Sequence, residues 1–513
     1  MFTDYESRVQ AALDILLATD AYKLDHRRQY PAGTEYVYAN MTARGSRIDG
    51  VDRTVFFGLQ AVLDDLHTKW EHFFLGVNGG ELDEVLLRYE EFVGNLLGEN
   101  QVGTGHFREL HALGHLPLEI RALPEGTLTP LRVPYLTVVN TDPRFFWLTN
   151  YLETVLSAAL WQPITSATTA WRARALLDER AERAGEPEAT PFQGHDFSYR
   201  GMAGTEAAAA SGAGHMLSFT GTDTLPSILY AERHYAGRDN GLLGASVAAT
   251  EHSVMMADGQ DGEFGTFSRL LDLYPTGILS VVSDTWNLWE VLTDFLPRLR
   301  EKIVARDGKL VIRPDSGDPV KILCGDPDVE PGDPYFAARS RGVIGLLADT
   351  FGTTVNDKGY LVLDPHVGAI YGDSITYDRA DAITANLIAQ GFSPSIPVFG
   401  FGSFGYQYVT RDTFQMAMKT TWTQVSGEER NIIKNPITDN GTKKSATGLL
   451  SVRRQMDGTL YLVEKATPEQ LAGSELRPVY RNGEFLIRQS FAQVRERLAR
   501  DSALYRREAV AQR

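Results

Sequence analysis

The sequence predicts an α/β fold, with a central (β/α) barrel and a flanking α/β domain, and two observations predict it. Seven short segments between residues 192 and 405 each run apolar or small and then break into polar residues, as buried parallel strands do where they end. Most successive segments lie roughly 25 to 35 residues apart, the length of one strand with its crossover helix. The segments are HDFSYRG, MLSFTGTDT, SVAATEHS, ILSVVSD, LVIRPDSG, GAIYGD and IPVFGFGSFG. Because chemistry in such barrels lies at the carboxyl ends of the strands, we expect one shared site at that rim.

The remaining segments predict a second α/β domain that is built from both chain ends. We assign residues 1–190 plus 411–513 to this flanking domain and residues 191–410 to the barrel. Hydrophobic periodicity and turn residues predict its elements. They are a strand at 36–41, amphipathic helices at 54–70 and 81–97, short strands and turns at 117–142, helices at 145–161 and 168–184, a strand at 413–423, a hairpin at Asp457-Gly458 and a terminal helix at 491–507.

The composition is that of a large globular enzyme. The net charge of −16 argues against a nucleic-acid-binding surface, which is usually basic, but it leaves room for a local cationic pocket. The single cysteine, Cys324, allows no intrachain disulfide and makes a structural zinc site unexpected. The amino-terminal MFTDYESRVQ has no apolar core of a signal peptide, and no apolar run approaches the length of a membrane span. We therefore expect a cytoplasmic enzyme.

Charged residues end three of the predicted strands. Arg313, Asp315 and Ser316 follow LVI, Asp284 follows SVVS, and Gly372-Asp373 follows GAIY. One interpretation is local, because Asp315, Ser316 or Asp284 can cap the helix that follows each strand. The other is that three carboxylates at three strand ends bind a polyhydroxy ligand, a magnesium ion, or both.

Three further motifs each have a structural and a functional interpretation. GFGSFG at residues 400–405 is either a glycine-rich turn or a loop whose backbone N–H groups cradle a phosphate. His252, in TEHS, is a general base, a phosphate acceptor or a polar core residue. Phe197, Tyr199 and Arg200 either pack in the core or bind a flat ring and a phosphate.

With these motifs in order, the sequence resembles the nicotinamide phosphoribosyltransferases, which are type II phosphoribosyltransferases. ATDAYKLDHRRQYP, NTDPRFFWLTNYLET, HDFSYRG, GTDT, EHS, SVVSD, IRPDSG and the Gly372-Asp373 pair carry the resemblance, which covers about four fifths of the chain. The resemblance implies transfer of the 5-phosphoribosyl group from phosphoribosyl pyrophosphate to nicotinamide, giving nicotinamide mononucleotide and pyrophosphate in NAD salvage. It also implies a barrel with an α/β sandwich, and a homodimer whose active sites are shared between subunits.

The resemblance also implies roles for individual residues. Phe197 would stack on nicotinamide, with Tyr22 of the second subunit on the other face, and Asp223 would accept the carboxamide N–H. Arg313, Asp284, Asp315 and His252 would form the catalytic set, and ATP, as co-substrate, would phosphorylate His252. Mg²⁺ would be held mainly by pyrophosphate. The residues implied for the phosphoribosyl and pyrophosphate groups are Arg200, Gly372, Asp373, Gly402, Ser403, Arg44, Arg411, Lys419 and Lys434.

Two departures and two alternatives accompany the resemblance. Ser403-Phe404 replaces the consecutive glycines that are frequent in the family's phosphate loop, and the loop near 325–335 looks lengthened. A nicotinate phosphoribosyltransferase is the nearest alternative, but the charge of Asp223 favours an amide over a carboxylate. A binding or signalling protein on the same scaffold is the other. It would be expected to lack some of the catalytic set, all of which is present here.

Overall fold

The computed structural model describes residues 4–236, 241–436, 438 and 445–511. The chain divides into two compact units. The first comprises Met1–Thr165, Tyr230–Asn240 and Thr410–Arg513, and the second comprises Ser166–Leu229 and Gly241–Val409. The amino-terminal segment of the first unit therefore ends at Thr165, inside a helix, whereas the sequence predicted this boundary at residue 190. No helix in the described part of the chain is long and apolar enough to cross a membrane.

Helices and strands are numbered here in chain order. The helices are α1 Tyr5–Leu17, α2 His26–Gln29, α3 Leu59–Leu75, α4 Gly79–Leu97, α5 Gly105–Leu113, α6 Leu148–Tyr151, α7 Glu153–Ala184, α8 Thr190–Gln193, α9 Thr205–His215, α10 Leu225–His234, α11 His252–Met256, α12 Glu263–Leu273, α13 Leu288–Glu290, α14 Leu296–Val304, α15 Pro319–Cys324, α16 Phe336–Phe351, α17 Tyr377–Ala389, α18 Ser403–Tyr406, α19 Pro468–Ala472 and α20 Phe491–Ala511. The strands are β1 Thr34–Ala43, β2 Arg53–Val55, β3 Leu118–Ala122, β4 Leu128–Pro130, β5 Pro134–Asn140, β6 Gly194–Asp196, β7 Gly221–Thr222, β8 Ala248–Ala249, β9 Thr276–Val282, β10 Asp307–Arg313, β11 Thr353–Val355, β12 Leu361–Leu363, β13 Val367–Tyr371, β14 Pro397–Phe401, β15 Met416–Val425, β16 Glu428–Asn431, β17 Ser451–Arg454, β18 Leu460–Val463, β19 Arg477–Arg481 and β20 Glu484–Phe485.

The second unit is the predicted parallel barrel. Each of the seven predicted segments contributes one strand to a seven-stranded sheet with the order β7-β6-β14-β13-β10-β9-β8, and every pairing in it is parallel. The segment before β8 also pairs with β7, because Thr222 donates to the carbonyl of Ala245 over 2.9 Å. The two ends of the strand order are thereby joined, so the sheet closes on itself and brings all the strand ends to one rim.

Buried apolar strands surrounded by helices form the core of this unit. Leu310 and Ile312 of β10, Val281 of β9 and Phe399 of β14 are fully buried, and they pack with side chains of α12, α14, α16 and α17. The continuous apolar runs of the sequence are thus strands covered by helices, as expected for a parallel sheet.

The first unit contains an antiparallel sheet with the order β16-β15-β1-β5-β3-β19-β20. One face of β1, β3, β5 and β15 packs against α1, α3, α4 and α5 in a single hydrophobic core. The β17–β18 hairpin pairs Arg454 with Leu460 around the predicted Asp457-Gly458 turn. This unit is the α/β layer structure predicted from the two chain ends.

Three predicted helices of this region differ from the observed ones, and the first of them is wrong in its start. The helix predicted at 54–70 begins at Leu59, because Gly58 has a left-handed φ of 103° and residues Arg53–Val55 form a strand. The Glu125 carboxylate caps the new start by accepting from the backbone N–H groups of Gly58, at 2.7 Å, and Gln60, at 2.6 Å. A capping group 65 residues away in the chain leaves no local signal in the sequence.

The helices predicted at 145–161 and 168–184 are also different. They are replaced by the short α6 and one continuous helix, α7, which contains Pro163. Proline removes one backbone hydrogen bond and normally ends or kinks a helix. Here Leu160, Ile164 and Ala167 on either side of it are fully buried, so packing favours a continuous helix over the local break.

Candidate active site

The rim of the barrel holds a pocket of about 330 Å³. Nine residues predicted from the sequence line it, and they come from five different strand ends, those of β6, β7, β10, β13 and β14. They are Phe197, Arg200, Asp223, Arg313, Asp315, Gly372, Asp373, Gly402 and Ser403. The first unit has a cavity of about 420 Å³ lined by Tyr36, Tyr38 and Trp422, among others, but none of the predicted site residues reaches it. Convergence of polar groups, and not size, therefore identifies the candidate site.

Asp284 holds the loop that follows β10. Its Oδ2 accepts hydrogen bonds from the backbone N–H of Asp315, at 2.8 Å, and from Ser316 Oγ, at 2.6 Å. The alternative interpretation was that these residues cap the helices that follow the strands. Other residues do so, because Asn287 caps α13 and Asp318 caps α15. Asp284, Asp315 and Ser316 are therefore not helix caps, and their hydrogen bonds shape the rim.

Asp315 lies in an electrostatically mixed environment. Burial raises the pKa of its carboxyl, and the carboxylates of Asp284 and Asp373 raise it further. The positive charges of Arg313 and His252 oppose this rise in pKa. A Cβ at Gly372 would lie 2.6 Å from Asp315 Oδ1, so the predicted glycine is needed for the close approach of the two strand ends. Carboxylates in this setting can bind hydroxyl groups or a cation-bound ligand.

His252 also lies at this rim, where it begins α11. Its Nδ1 is 3.1 Å from Thr285 Oγ1, and its Nε2 is 4.0 Å from Asp315 Oδ2. Its side chain is 42% exposed, so it is not a core histidine. An imidazole held at Nδ1 and open at Nε2 can exchange a proton or accept a phosphoryl group at Nε2.

Phe197 provides an aromatic surface inside the pocket. The ring of His195 packs against it with centroids 4.6 Å apart, and the Arg313 guanidinium carbon lies 5.7 Å from its centroid. Arg313 Nε is buried and has no hydrogen-bond partner among the described residues. Phe197 itself is only partly buried, so it is available to stack on a planar ligand beside a cation.

Replacing Gly400 with alanine should destabilise the barrel by about 1–3 kcal/mol, the usual cost of overpacking. The new Cβ would lie 2.5 Å from Phe197 Cδ2 and 2.9 Å from Gly372 Cα. Thermal unfolding followed by calorimetry measures the effect. Gly405→Ala is the matched control, because its Cβ would meet only Thr169 Cγ2 at 3.9 Å. Equal melting of both variants and the wild type would contradict the packing argument.

Asp223 is hydrogen-bonded through one carboxylate oxygen only. His195 Nε2 lies 2.9 Å from Oδ1, and Ser246 Oγ donates to the same atom. Burial acts to raise the pKa of Asp223, but the hydrogen bonds from His195 and Ser246 and the charges of His195 and Arg313 outweigh it, so the pKa is lowered. The pocket therefore contains a charged carboxylate beside an aromatic ring. His195 and Ser246 were not predicted as site residues, although His195 stands two residues before Phe197, a spacing that puts two side chains on the same side of an extended chain.

The other predicted site residues belong to the first unit. Tyr22 is 63% exposed, and Arg411 pairs with Asp412 at 3.1 Å. Arg44 and Lys419 line one cavity of about 270 Å³. Burial lowers the pKa of Lys419, and the positive charges of Arg44, Lys434 and Lys23 lower it further, against the effect of Glu153. The first unit thus carries a cationic cluster that is suited to an anion.

The described residues contain no group of three or more His, Cys, Asp or Glu side chains placed to hold a metal ion.

Comparison with known sequences identifies relatives whose matched regions include all the pocket residues. The pattern of the Nicotinate phosphoribosyltransferase (NAPRTase) family matches residues 192–484, and that of the Nicotinamide phosphoribosyltransferase, N-terminal domain, matches residues 14–120. The nicotinamide phosphoribosyltransferase of Acinetobacter baylyi is 49% identical over 497 residues, covering 94% of this chain and 97% of the relative. The nicotinamide phosphoribosyltransferase of Mycoplasma pneumoniae is 36% identical over 456 residues, covering 86% and 96%.

Solved structures share the fold. A nicotinate-nucleotide pyrophosphorylase from Pyrococcus furiosus superposes with a TM-score of 0.58 at 15% identity and covers 99% of this chain and 98% of its own. Human nicotinic acid phosphoribosyltransferase superposes with a TM-score of 0.54 at 16% identity and covers 98% and 94%. These structures confirm the predicted α/β fold of the type II phosphoribosyltransferase kind. The sequence matches go further, and they show that this chain belongs to the nicotinate phosphoribosyltransferase (NAPRTase) family, as a relative of the nicotinamide phosphoribosyltransferases.

Proposed function

We propose that the protein transfers the 5-phosphoribosyl group of phosphoribosyl pyrophosphate to nicotinamide, giving nicotinamide mononucleotide and pyrophosphate in NAD salvage. One observation carries the proposal: a single pocket holds an aromatic ring, a carboxylate with a free oxygen, and the ends of β13 and β14 with Asp373 and the Gly402-Ser403 pair. Such a pocket fits a flat amide-bearing ring next to a phosphorylated sugar.

In this proposal, aromatic stacking and hydrogen bonding hold the nicotinamide ring in one orientation. Phe197 stacks on the pyridine ring, Asp223 Oδ2 accepts the carboxamide N–H, and Arg313 lies beside both. The pyridine nitrogen already has a lone pair, so it attacks C1′ of the ribose without a general base. Fixed orientation of the two reactants supplies a large part of the rate acceleration.

Positive charge develops on the ribose as pyrophosphate leaves. Asp315 and Asp373, with Gly372 between the strand ends, hold the ribose side, while Arg200 and the Gly402-Ser403 loop hold its phosphate. Cations of the protein offset the negative charge of the leaving group, and Mg²⁺, which would be held mainly by pyrophosphate, would supply further positive charge there. Asp284 contributes indirectly, because it accepts the backbone N–H of Asp315 and so fixes the loop that follows β10.

ATP and a second subunit complete the proposal. ATP transfers its γ-phosphoryl group to Nε2 of His252 and leaves as ADP. The phosphoryl group on His252 adds negative charge at the rim of the barrel. Two chains form a homodimer in which each site receives Tyr22 and the cations Arg44, Arg411, Lys419 and Lys434 from the partner. The exposure of Tyr22 and the grouping of Arg44, Lys419 and Lys434 support this part of the proposal.

A substrate-selection assay tests the function. Purified enzyme is given phosphoribosyl pyrophosphate and magnesium with nicotinamide or nicotinate, and the mononucleotide product is quantified. We expect strong preference for nicotinamide, because a charged Asp223 repels the nicotinate carboxylate in a partly desolvated pocket. Asp223→Asn should lower kcat/KM for nicotinamide and narrow its preference over nicotinate by about tenfold or more. Equal use of both substrates by the wild type would contradict the assignment of Asp223 and favour the nicotinate enzyme.

A further inference from the structure

His195 and Ser246 both bind one oxygen of Asp223. His195 Nε2 is 2.9 Å from Oδ1, and the hydroxyl of Ser246 donates to that atom as well. Oδ2 has no hydrogen-bond partner among the described residues, and Asp223 lines the pocket. The carboxylate is therefore fixed on one side and left free on the other.

The imidazole of His195 is itself held tightly. It is only 11% exposed, and its ring packs on Phe197 with centroids 4.6 Å apart. On its other side, a Cβ at Gly221 would lie 2.7 Å from Nδ1. Within the described parts of the chain Nδ1 has no hydrogen-bond partner, so the proton that matters is the one on Nε2, directed at Asp223. One side chain thus contacts both groups that the proposed function assigns to the nicotinamide ring.

We propose that His195 is a positioning residue that sets the preference for a carboxamide over a carboxylate, by holding Asp223 Oδ1 so that a charged Oδ2 faces the ring substituent. This inference rests on the proposed function. It adds a role for His195, a residue to which that proposal gives no direct contact with nicotinamide. Neither the stacking surface nor the acceptor is supplied by His195, yet the orientation of the acceptor depends on it.

Loss of the hydrogen bond should change both the orientation and the charge of Asp223. Burial alone would raise the pKa of this carboxyl, whereas the hydrogen bonds from His195 and Ser246, together with the charges of His195 and Arg313, lower it. The charged groups that also face this pocket are Arg313, Arg200, Asp315 and Asp373. Without the His195 donor, Asp223 should bind a proton more readily as the pH falls. A protonated Asp223 neither repels nicotinate nor accepts the amide N–H as well.

The experiment compares His195→Phe with His195→Gln. Phenylalanine keeps a ring against Phe197 but has no donor, whereas the glutamine amide can place an N–H near the position of Nε2. The matched control is His366→Phe, which removes a histidine from another pair in the same unit, with Asp364 at 2.7 Å. For each enzyme, kcat and KM are measured with nicotinamide and with nicotinate between about pH 4 and 8, a range that reaches the ordinary pKa of an Asp carboxyl, about 4, and spans that of an imidazole, about 6.5.

We expect His195→Phe to lower the nicotinamide-to-nicotinate ratio of kcat/KM by about tenfold or more, the effect of losing a hydrogen bond to a charged group. The change should come mainly from a higher KM for nicotinamide, and the ratio should fall further as the pH is lowered. His195→Gln should stay within about threefold of the wild-type ratio, and His366→Phe should not differ from the wild type.

Three outcomes decide the matter. An active His195→Phe enzyme with the wild-type ratio, or with equal losses for both substrates, would overturn the inference. If His195→Phe does not fold, His195→Leu decides, because leucine is smaller than phenylalanine and also lacks a hydrogen-bond donor: a lower ratio supports the inference and an unchanged ratio overturns it. A wild type that makes no mononucleotide from nicotinamide would instead contradict the proposed function.

Discussion

Replacing His252 with alanine is expected to abolish ATP hydrolysis and the stimulation of transfer by ATP, while some basal transfer remains. The imidazole is fixed at Nδ1 by Thr285 and open at Nε2, 4.0 Å from Asp315, which leaves Nε2 as the atom able to accept a phosphoryl group. A phosphate there would add negative charge close to the carboxylates that we propose bind the ribose and the pyrophosphate side. The measurement is ADP release and mononucleotide formation, with and without ATP.

The control for this prediction is Thr285→Val, which keeps the imidazole but removes its orienting hydroxyl. It should retain phosphorylation with lower efficiency, since an orienting partner fixes the tautomer and the ring position. Acid-labile ³²P on the wild-type chain but not on His252→Ala would support the role. Undiminished ATP stimulation in His252→Ala would show that another group, or none, accepts the phosphoryl group.

Mixed dimers of Tyr22→Ala and Asp223→Ala are expected to recover about a quarter of wild-type activity, although each variant alone is nearly inactive. If each site takes Tyr22 from one chain and Asp223 from the other, a mixed dimer has one site with both defects and one with neither. Random pairing makes half of the dimers mixed, so a quarter of all sites are intact. Activity is measured after co-expression of the two variants in equal amounts.

Two controls make the complementation result decisive. Differential tags on the two variants confirm that mixed dimers form, and pairing Phe197→Ala with Asp223→Ala should give no recovery, because both residues line the same pocket of the same unit. Recovery with Tyr22→Ala but not with Phe197→Ala identifies a shared site. No recovery with Tyr22→Ala, in confirmed mixed dimers, would mean that Tyr22 serves its own chain or no site.

The barrel and most of its rim were predictable from the sequence, because they depend on local patterns. A strand buried on both faces must be apolar throughout, and where it ends at a site it must change to polar residues. That pattern located all seven strands, and it placed Phe197, Asp223, Arg313, Asp315 and Asp373 in one pocket. The order of the motifs also carried the resemblance that the family matches confirm.

Features that depend on residues far apart in the chain were not predictable in this way. Glu125 moves the start of α3 to Leu59, and buried packing on both sides of Pro163 keeps α7 continuous where proline alone favours a break. In both places a tertiary contact is stronger than the local preference of the backbone.

The same distinction applies to the chemistry of the rim. The sequence by itself determined which carboxylates stand at strand ends, but Asp284 could equally have capped a helix. Only the tertiary structure decided that it binds the backbone N–H of Asp315 and the hydroxyl of Ser316, across two neighbouring strand ends. Likewise, only the tertiary structure placed His195 and Ser246 on the same oxygen of Asp223. Hydrogen bonds act over about 3 Å in space and not along the chain, so a single sequence specifies the groups while the closed barrel specifies their partners.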